Sequence, residues 1–315
     1  MKALVYREFG SPDQLEWSDG WQAPELAPGC VLVRTRAGSV NPKDVLLRKG
    51  MFSRTLARDP LPRVAGLDAA GEVIAVADDV PGYRAGDRVF GMTNHFAGGV
   101  HAEICRFHHS ELAVIPDALS FIDAASVPLA AQTALQALRD CADLQPGERV
   151  LINGASGGVG HFAVQIARAL GAEVHGVCGP DNIGFVESLG ADAVYSYHEQ
   201  PAHKVALAFD VVFDAFGKLS RPAYRRQLGR YGIYVSTVPK LSTFLGEGLA
   251  RSGISKRSRL VEVRSRHEDL VLLAGWIQEG NLVPHVEKTF PVAAAADAHR
   301  HVETRHTTGK VCIEF

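Results

Sequence analysis

The segment best suited to chemistry is a glycine-rich turn that follows a run of apolar residues. Residues 150–152 form a strand-like apolar run, and residues 153–160 contain four glycines. Beyond the turn, apolar residues recur three and four positions apart, as on the buried face of a helix. A second strand-like run follows at 173–178. In a strand, turn, helix and strand unit, the N–H groups and positive dipole of the helix N-terminus bind the diphosphate of a dinucleotide.

Two glycines of this turn have separate predicted roles. Gly157 lets the backbone approach a phosphate, and Gly160 lets the helix pack closely on the strand. Ala155 stands where the first glycine of the pattern GxGxxG is expected. Because glycines also mark ordinary turns, the prediction depends on the flanking βαβ pattern. The predicted phosphate-binding residues are Ser156, Gly157, Gly158, Val159 and Gly160.

The end of the second strand indicates which dinucleotide binds. NAD-binding units place a carboxylate there to hold the ribose 2′-hydroxyl, whereas this chain has Cys178 followed by Gly179. Without that carboxylate, nothing at this position repels a 2′-phosphate, so we expect NADPH rather than NADH. Asp181 opposes this expectation unless its carboxylate points away from the phosphate.

The elements around the turn fall into two classes. Residues 1 to about 120 are rich in glycine and proline and carry short β-like runs at 31–33, 71–76 and 88–90. After residue 121, apolar strands alternate with helical segments, which predicts βαβ units on a parallel sheet. The predicted elements of this part are strands at 149–153, 173–178, 193–195, 210–214 and 232–237 and helices at 158–170, 182–189, 221–228 and 267–278.

The pattern becomes strand-like again near the C-terminus, where residues 310–315 are expected to rejoin the first half. We therefore predict an α/β protein with two domains. A Rossmann dinucleotide-binding domain with a doubly wound parallel sheet is expected at 123–282. A β-rich substrate domain is expected from residues 1–122 and 283–315.

The composition excludes some kinds of partner. Thirty-three basic and thirty-five acidic residues leave a formal charge of -2, so no overall field draws the chain to nucleic acid or to an anionic membrane. Without a signal-peptide pattern or an apolar stretch of about 18 residues, we expect a cytoplasmic protein acting on a small molecule. The five cysteines lie far apart, which favours reduced thiols over a disulfide framework.

Short motifs spread over nearly the whole chain resemble those of a known family. Besides the glycine turn, they lie at 39–44, 66–71, 86–89, 98–103, 189–192 and 309–311. In order and spacing, they resemble the zinc-independent quinone oxidoreductases of the medium-chain dehydrogenase/reductase superfamily, the branch that includes zeta-crystallin and the plastid enone reductases. The resemblance implies that the β-rich domain is a GroES-like barrel and that the protein is a homodimer.

The same resemblance predicts the absence of a catalytic metal ion. Zinc-dependent relatives have a cysteine where Asn41 stands and a His-Glu pair where Leu67 and Asp68 stand. Neither Asn41 nor Leu67 is a useful zinc ligand. The resemblance therefore implies a metal-free transfer of hydride from NADPH to a quinone or an α,β-unsaturated carbonyl compound.

The resemblance also implies roles for individual residues. Asn41 is expected near the substrate carbonyl, and Thr133 near the nicotinamide ribose. The further cofactor contacts that it implies are Cys178, Gly179, Asn182, Tyr197, Phe216, Gly217, Lys218 and Lys310. The apolar substrate pocket is expected from Leu46, Phe52, His95 and Phe96. Residues 45–52 lack the tyrosines that many relatives carry there, so the proton donor stays open and solvent is one candidate.

Several alternatives remain open. Asn41 can instead cap the turn before Pro42, and Lys218 can be a solvated lysine. The basic segment 251–266 is expected to be a solvated loop, with a lid over the cofactor phosphate as the alternative. At the level of function, the alternatives are a biosynthetic enoyl or keto reductase acting on a bulky intermediate and a non-catalytic NADPH-binding protein.

Overall fold

The computed structural model describes residues 1–53, 60–255 and 257–315. The strands are β1 (Ala3–Tyr6), β2 (Leu15–Ser18), β3 (Cys30–Val40), β4 (Arg63–Val64), β5 (Asp68–Val76), β6 (Arg88–Met92), β7 (Ile104–His108), β8 (Leu112–Val114), β9 (Arg149–Asn153), β10 (Glu173–Cys178), β11 (Ala193–Ser196), β12 (Phe209–Asp214), β13 (Leu228–Ser236), β14 (Ser258–Leu260), β15 (Val286–Pro291) and β16 (Lys310–Glu314). The α-helices are α1 (Pro42–Arg48), α2 (Phe121–Ser126), α3 (Pro128–Leu135), α4 (Gly160–Ala169), α5 (Ile183–Ser188), α6 (Leu241–Arg251), α7 (His267–Gln278) and α8 (Ala295–Glu303).

The chain folds into two compact units. The β-rich unit consists of Met1–Leu129, Arg264–Gly280 and Pro284–Phe315, and the Rossmann unit consists of Ala130–Val263 and Asn281–Val283. This division differs from the predicted one chiefly at α7, which belongs to the β-rich unit. The difference arises because α7 packs on β8, where the ring Nδ1 of His267 lies 2.7 Å from the carbonyl oxygen of Leu112.

The β-rich unit is built around the long strand β3. Its main sheet has the order β15-β16-β3-β5-β6-β8, with β7 also paired to β3, and a small sheet has the order β2-β1-β4. The predicted runs at 31–33, 71–76 and 88–90 lie within β3, β5 and β6, which confirms them as strands. The antiparallel pairing of β16 with β3 confirms that the C-terminal residues return to the first half of the fold.

The Rossmann unit contains one six-stranded sheet in the order β11-β10-β9-β12-β13-β14, with every neighbouring pair parallel. Numbered from β9, this order is 3-2-1-4-5-6, which is the order of dinucleotide-binding Rossmann folds. The strand order reverses between β9 and β12, where ligands of such sheets bind outside the carboxyl ends of the strands. The predicted α/β class and parallel sheet are confirmed.

One prediction about residues 221–266 is wrong, and another is wrong at three residues. Residues 221–228 were expected to be a helix, but only Arg221–Tyr224 form a short 3-10 turn before β13 begins at Leu228. The basic segment 251–266 was expected to be a solvated loop, but it includes β14, which pairs with β13. The charge of Arg259 in this strand is compensated by Glu247 on α6, whose carboxylate accepts a hydrogen bond of 2.9 Å from the Arg259 guanidinium.

All five cysteines are free thiols. In the part of the chain that the structure describes, none of the helices has the length and apolar character needed to span a membrane.

Candidate functional site

The predicted phosphate-binding turn joins the end of β9 directly to the start of α4. A Cβ atom on Gly160 would lie 2.0 Å from the carbonyl oxygen of Gly154, so only glycine allows the helix to approach the strand this closely. On Gly157, a Cβ atom would contact only this same oxygen, at 3.4 Å, so the space beside the turn is otherwise open. Gly154 has a φ of +84°, which favours glycine.

The turn also presents backbone donors. The N–H groups of Ser156, Gly158 and Val159 make no hydrogen bond with any residue in the described ranges. These donors lie just before the first turn of α4, where the helix dipole favours an anion. Unused donors beside an open space fit the diphosphate of a dinucleotide.

A buried carboxylate connects the turn to the loop after β12. Asp214 is fully buried, and its Oδ1 accepts hydrogen bonds of 2.8 Å from Nδ2 of Asn153 and from the backbone N–H of Gly217. Its Oδ2 accepts hydrogen bonds from the hydroxyls of Tyr234, at 3.0 Å, and Tyr224, at 3.3 Å. Burial, reinforced by the Asp214 charge, raises the pKa of both phenols, so they remain donors.

The loop after β12 carries three predicted cofactor contacts, Phe216, Gly217 and Lys218. Phe216 lies against the glycine turn, because a Cβ atom on Gly154 would come within 3.4 Å of the Phe216 Cβ. The side chain of Lys218 is exposed, and its carbonyl oxygen accepts a hydrogen bond from Lys240. The cofactor role of Lys218 stays a prediction.

The predicted adenosine end of the site lies at the carboxyl end of β10. Cys178 is buried there, and burial raises the pKa of its thiol to about 11, so it is a neutral thiol at physiological pH. A Cβ atom on Gly179 would lie 3.5 Å from the hydroxyl of Tyr197, which places these two predicted contacts together. Nδ2 of Asn182 donates a 3.3 Å hydrogen bond to Oγ of Ser156, which joins this region to the glycine turn.

In the β-rich unit, Asn41 and Lys310 belong to a buried polar cluster. Nζ of Lys310 donates a hydrogen bond of 2.5 Å to Oδ1 of Asn41, and Nδ2 of Asn41 donates one of 2.8 Å to Oδ2 of Asp68. Asp68 also accepts hydrogen bonds from Oγ of Ser39, at 2.5 Å, and from the backbone N–H of Leu129, at 2.9 Å. The cluster is almost sealed from solvent, since Asn41 is 1% exposed and Lys310 is 3% exposed.

The position of Asn41 favours a structural role. Both ends of its amide are bound within the cluster, and its backbone N–H donates a hydrogen bond of 2.8 Å to the side chain of Asp44, as a residue preceding a helix does. The expected contacts of Asn41 with a substrate carbonyl and of Lys310 with the cofactor stay predictions. Thr133, on α3 in the Rossmann unit, is 5% exposed, and its expected role stays a prediction too.

The donor set around Asn41 does not fit a catalytic zinc ion. Leu67 is fully buried and has no donor atom, and the amide oxygen of Asn41 already binds an ammonium group. Within residues 1–53, 60–255 and 257–315, no group of three or more His, Cys, Asp or Glu side chains is arranged to hold a metal ion.

The expected substrate pocket includes an aromatic pair on the β-rich unit. The rings of Phe52 and Phe96 meet edge to face, with centroids 5.2 Å apart. Nζ of Lys43, in the first turn of α1, lies 4.3 Å from the centroid of the Phe96 ring. We call Lys43, Phe52 and Phe96 the aromatic–lysine patch.

Lys43 is the functional candidate that the sequence pattern does not single out. Burial lowers the pKa of its ammonium, while the charges of Asp44 and Asp68 partly oppose the shift. Of the other predicted pocket residues, Leu46 is half-buried on α1 and His95 is exposed, with its Nδ1 3.0 Å from the carbonyl oxygen of Gly98.

Two protein families match the chain. The alcohol dehydrogenase GroES-like domain matches residues 27–117, which lie in the β-rich unit, and the zinc-binding dehydrogenase family matches residues 189–313. Together, these matches support the predicted pairing of a GroES-like domain with a Rossmann domain.

Similar proteins cover essentially the whole chain. The chloroplast envelope quinone oxidoreductase homolog of Arabidopsis thaliana is 31% identical, over 100% of this chain and 98% of that protein. The chloroplastic NADPH-dependent alkenal/one oxidoreductase of the same plant is 30% identical, over 99% of this chain and 79% of that protein. The solved quinone oxidoreductase from Coxiella burnetii has a TM-score of 0.90 and 30% identity, over 100% of this chain and 99% of that one. The chain therefore belongs to the quinone oxidoreductase branch of the medium-chain dehydrogenase/reductase superfamily.

Proposed function

We propose that this protein is an NADPH-dependent oxidoreductase that transfers hydride, without a metal ion, to a quinone or an α,β-unsaturated carbonyl compound. The observation that carries the proposal is the glycine turn at 154–160, where three N–H groups at the end of β9 bond to none of the residues that the structure describes. When bound, the nicotinamide supplies the hydride, and the chain supplies binding, orientation and charge stabilisation.

The Rossmann unit offers residues for each part of the cofactor. Ser156, Gly158 and Val159 would hold the diphosphate through their N–H groups, and Tyr197 would lie beside the adenosine. The preference for NADPH rests on Cys178, which replaces the carboxylate of NAD-binding units. Asp181 is exposed to solvent, so its carboxylate is screened by water. One 30% identical relative is named for its dependence on NADPH.

The proposed substrates are conjugated compounds because they need no Lewis acid. Their carbon is already electrophilic, so a bound metal ion is not required to polarise it. The aromatic pair Phe52 and Phe96 offers an apolar surface for such a compound. The absence of useful zinc donors at Asn41 and Leu67 supports the metal-free reaction.

We also propose that the protein is a homodimer formed through the Rossmann unit. β14 is an edge strand of the sheet, and an unpaired edge readily accepts a strand from another chain. The neighbouring helix α6 exposes large apolar side chains at spacings of three and four, namely Leu241, Phe244, Leu245 and Leu249. Sedimentation equilibrium tests this proposal, with a charge substitution at Leu245 expected to yield monomers.

The test of function is an anaerobic assay of NADPH oxidation over quinones, enones, enals and ketones, in the presence of a strong chelator. We expect turnover with quinones or enones and a loss of at least about a hundredfold in kcat/KM in Gly157→Asp, because the new carboxylate lies where the diphosphate binds. Gly275→Asp on α7 is the matched control, since it adds the same charge where a new Cβ atom meets nothing within 4 Å. Turnover that appears only after zinc is added would contradict the proposal.

A further inference from the structure

Lys43 differs from Lys49 and Lys310 of the β-rich unit in having no polar partner among the residues that the structure describes. Lys49, six positions later, pairs with Glu303 at 2.7 Å, and Lys310 donates to Asn41. Lys43 makes no hydrogen bond or ion pair with any residue that the structure describes, although it is half-buried. Its ammonium instead lies against the Phe96 ring. The unused N–H donors of a partly desolvated ammonium are available to a ligand.

Two acidic residues whose charges act on this ammonium, Asp44 and Asp68, form no hydrogen bond or ion pair with it. Asp44 accepts a hydrogen bond from the backbone N–H of Asn41, and Asp68 accepts hydrogen bonds from Ser39, Asn41 and the backbone of Leu129. They act on Lys43 only through their charge. Burial outweighs that charge and lowers the pKa of Lys43, which makes its ammonium a stronger acid than an exposed lysine.

The aromatic–lysine patch has the chemistry of a site for a flat conjugated carbonyl compound. Phe52 and Phe96 offer an apolar aromatic surface that favours stacked or edge-to-face contact with a ring. The Lys43 ammonium lies beside this surface and offers the hydrogen-bond donors that a carbonyl oxygen needs.

We propose that Lys43 binds the carbonyl oxygen of the substrate and donates the proton that completes its reduction. The proposal rests on the proposed function and names the acid that the function requires. With an enone, the hydride from NADPH adds to the β carbon, and the C=C π electrons move through the conjugated system onto the carbonyl oxygen. An Nζ–H bond of Lys43 breaks as the O–H bond forms, and the neutral amine recovers its proton from water. NADPH is oxidised, and the enone gains one hydride and one proton.

The first test needs no turnover. A short pulse of acetic anhydride at a series of pH values, read by peptide mass spectrometry, measures the labelling of Lys43 in the cofactor-free protein. Lys288 is the matched reference, because its ammonium also lies over a phenylalanine ring, 4.8 Å from the centroid of Phe290, but it is exposed. We expect Lys43 to reach half-maximal labelling at lower pH than Lys288 and to be protected by 2-cyclohexenone. Equal midpoints without protection would overturn the proposal.

The second test uses Lys43→Met, Lys43→Arg and the control Lys288→Met, with NADPH affinity and thermal unfolding measured for each. We expect kcat in Lys43→Met to fall about a hundredfold, as for loss of a general acid, with NADPH affinity unchanged. Lys43→Arg should recover substrate KM but not kcat, because a guanidinium keeps its charge and does not release its proton. The alkaline limb of the pH profile of kcat should disappear in both variants.

The outcomes separate the two proposals. Wild-type protein that binds NADPH but reduces no quinone or enone would contradict the proposed function, and labelling would still decide whether Lys43 binds a carbonyl compound. Wild-type protein that turns over while Lys43→Met stays within twofold of it would overturn the role of Lys43 alone. If Lys43→Met unfolds, the Lys43→Arg profile and the labelling decide.

Discussion

The ammonium of Lys310 donates a hydrogen bond to the amide oxygen of Asn41, which lies 269 positions earlier in the chain, inside the β-rich unit. Because the opposite end of this amide donates to Asp68, Asn41 links a buried cation to a buried carboxylate. Removing one partner of such a pair leaves the other charge uncompensated, which is more costly than losing the pair as a whole.

Lys310→Met is therefore expected to destabilise the fold by about 3 to 5 kcal/mol. Urea unfolding measures the loss, and Lys288→Met, at an exposed lysine, is the control with an expected change under about 0.5 kcal/mol. The double variant Lys310→Met with Asp68→Asn should lose less than Lys310→Met alone. A single-variant loss below about 1 kcal/mol would show that the cluster does not depend on the charge pair.

Asp214→Asn is expected to weaken NADPH binding about tenfold. Oδ1 of the carboxylate accepts from both Asn153, at the start of the glycine turn, and Gly217, in the loop beyond β12, and the oxygen of a neutral amide accepts hydrogen bonds only about half as strongly as a charged carboxylate. Fluorescence titration of NADPH measures the affinity. Tyr234→Phe is the control, since it removes one donor to the other carboxylate oxygen and should lower stability by about 1 kcal/mol while leaving affinity intact. Equal NADPH affinity in Asp214→Asn and wild type would refute this role.

His299 is expected to make the β-rich unit less stable in acid. Its ring is buried with both nitrogens unpartnered among the described residues, and burial, with smaller effects of the Arg48 and His101 charges, lowers its pKa to about 3. Below pH 6.5, His299 binds a proton in the unfolded chain but stays neutral in the folded protein. The free energy of unfolding therefore decreases as the pH falls from 6.5 toward 3.

His299→Leu removes this dependence. The free energy of unfolding of the variant minus that of wild type should increase by about 2 kcal/mol as the pH falls from 7 to 5. Urea unfolding at the two pH values measures this difference. The difference between the two proteins is the informative quantity, because Asp44 acts in the opposite direction. Burial raises the pKa of Asp44 to about 7, so its contribution is lost as the pH rises from 3.8 through 7. A difference that does not change with pH would exclude His299 as the source.

Local periodicity predicts many of the helices and strands beyond residue 121 and little of the polar chemistry. The bounds of β9, β10 and α7 agree with the prediction because each is a strongly patterned segment with turn residues at its ends. Helix α6 is not predicted because it contains Gly246 and Gly248, which disfavour a helix. Strand β14 is not predicted because Arg259 resembles an arginine of a solvated loop until the fold brings Glu247 beside it.

The residues of the site divide in the same way. The glycine turn is predictable because its spacing reflects a local steric need, the close approach of Gly160 to Gly154. The pairing of Lys310 with Asn41 and the position of Lys43 on the Phe96 ring depend on segments that are distant in the chain, and no local pattern encodes them.

A crystal structure of the metal-stripped protein with NADPH shows directly whether the glycine turn binds the cofactor. Binding of NADPH at this turn would put diphosphate oxygens about 3 Å from the backbone nitrogens of Gly158 and Val159. A diphosphate bound away from residues 154–160, or a cofactor bound only when a metal ion is restored, would contradict the proposed function.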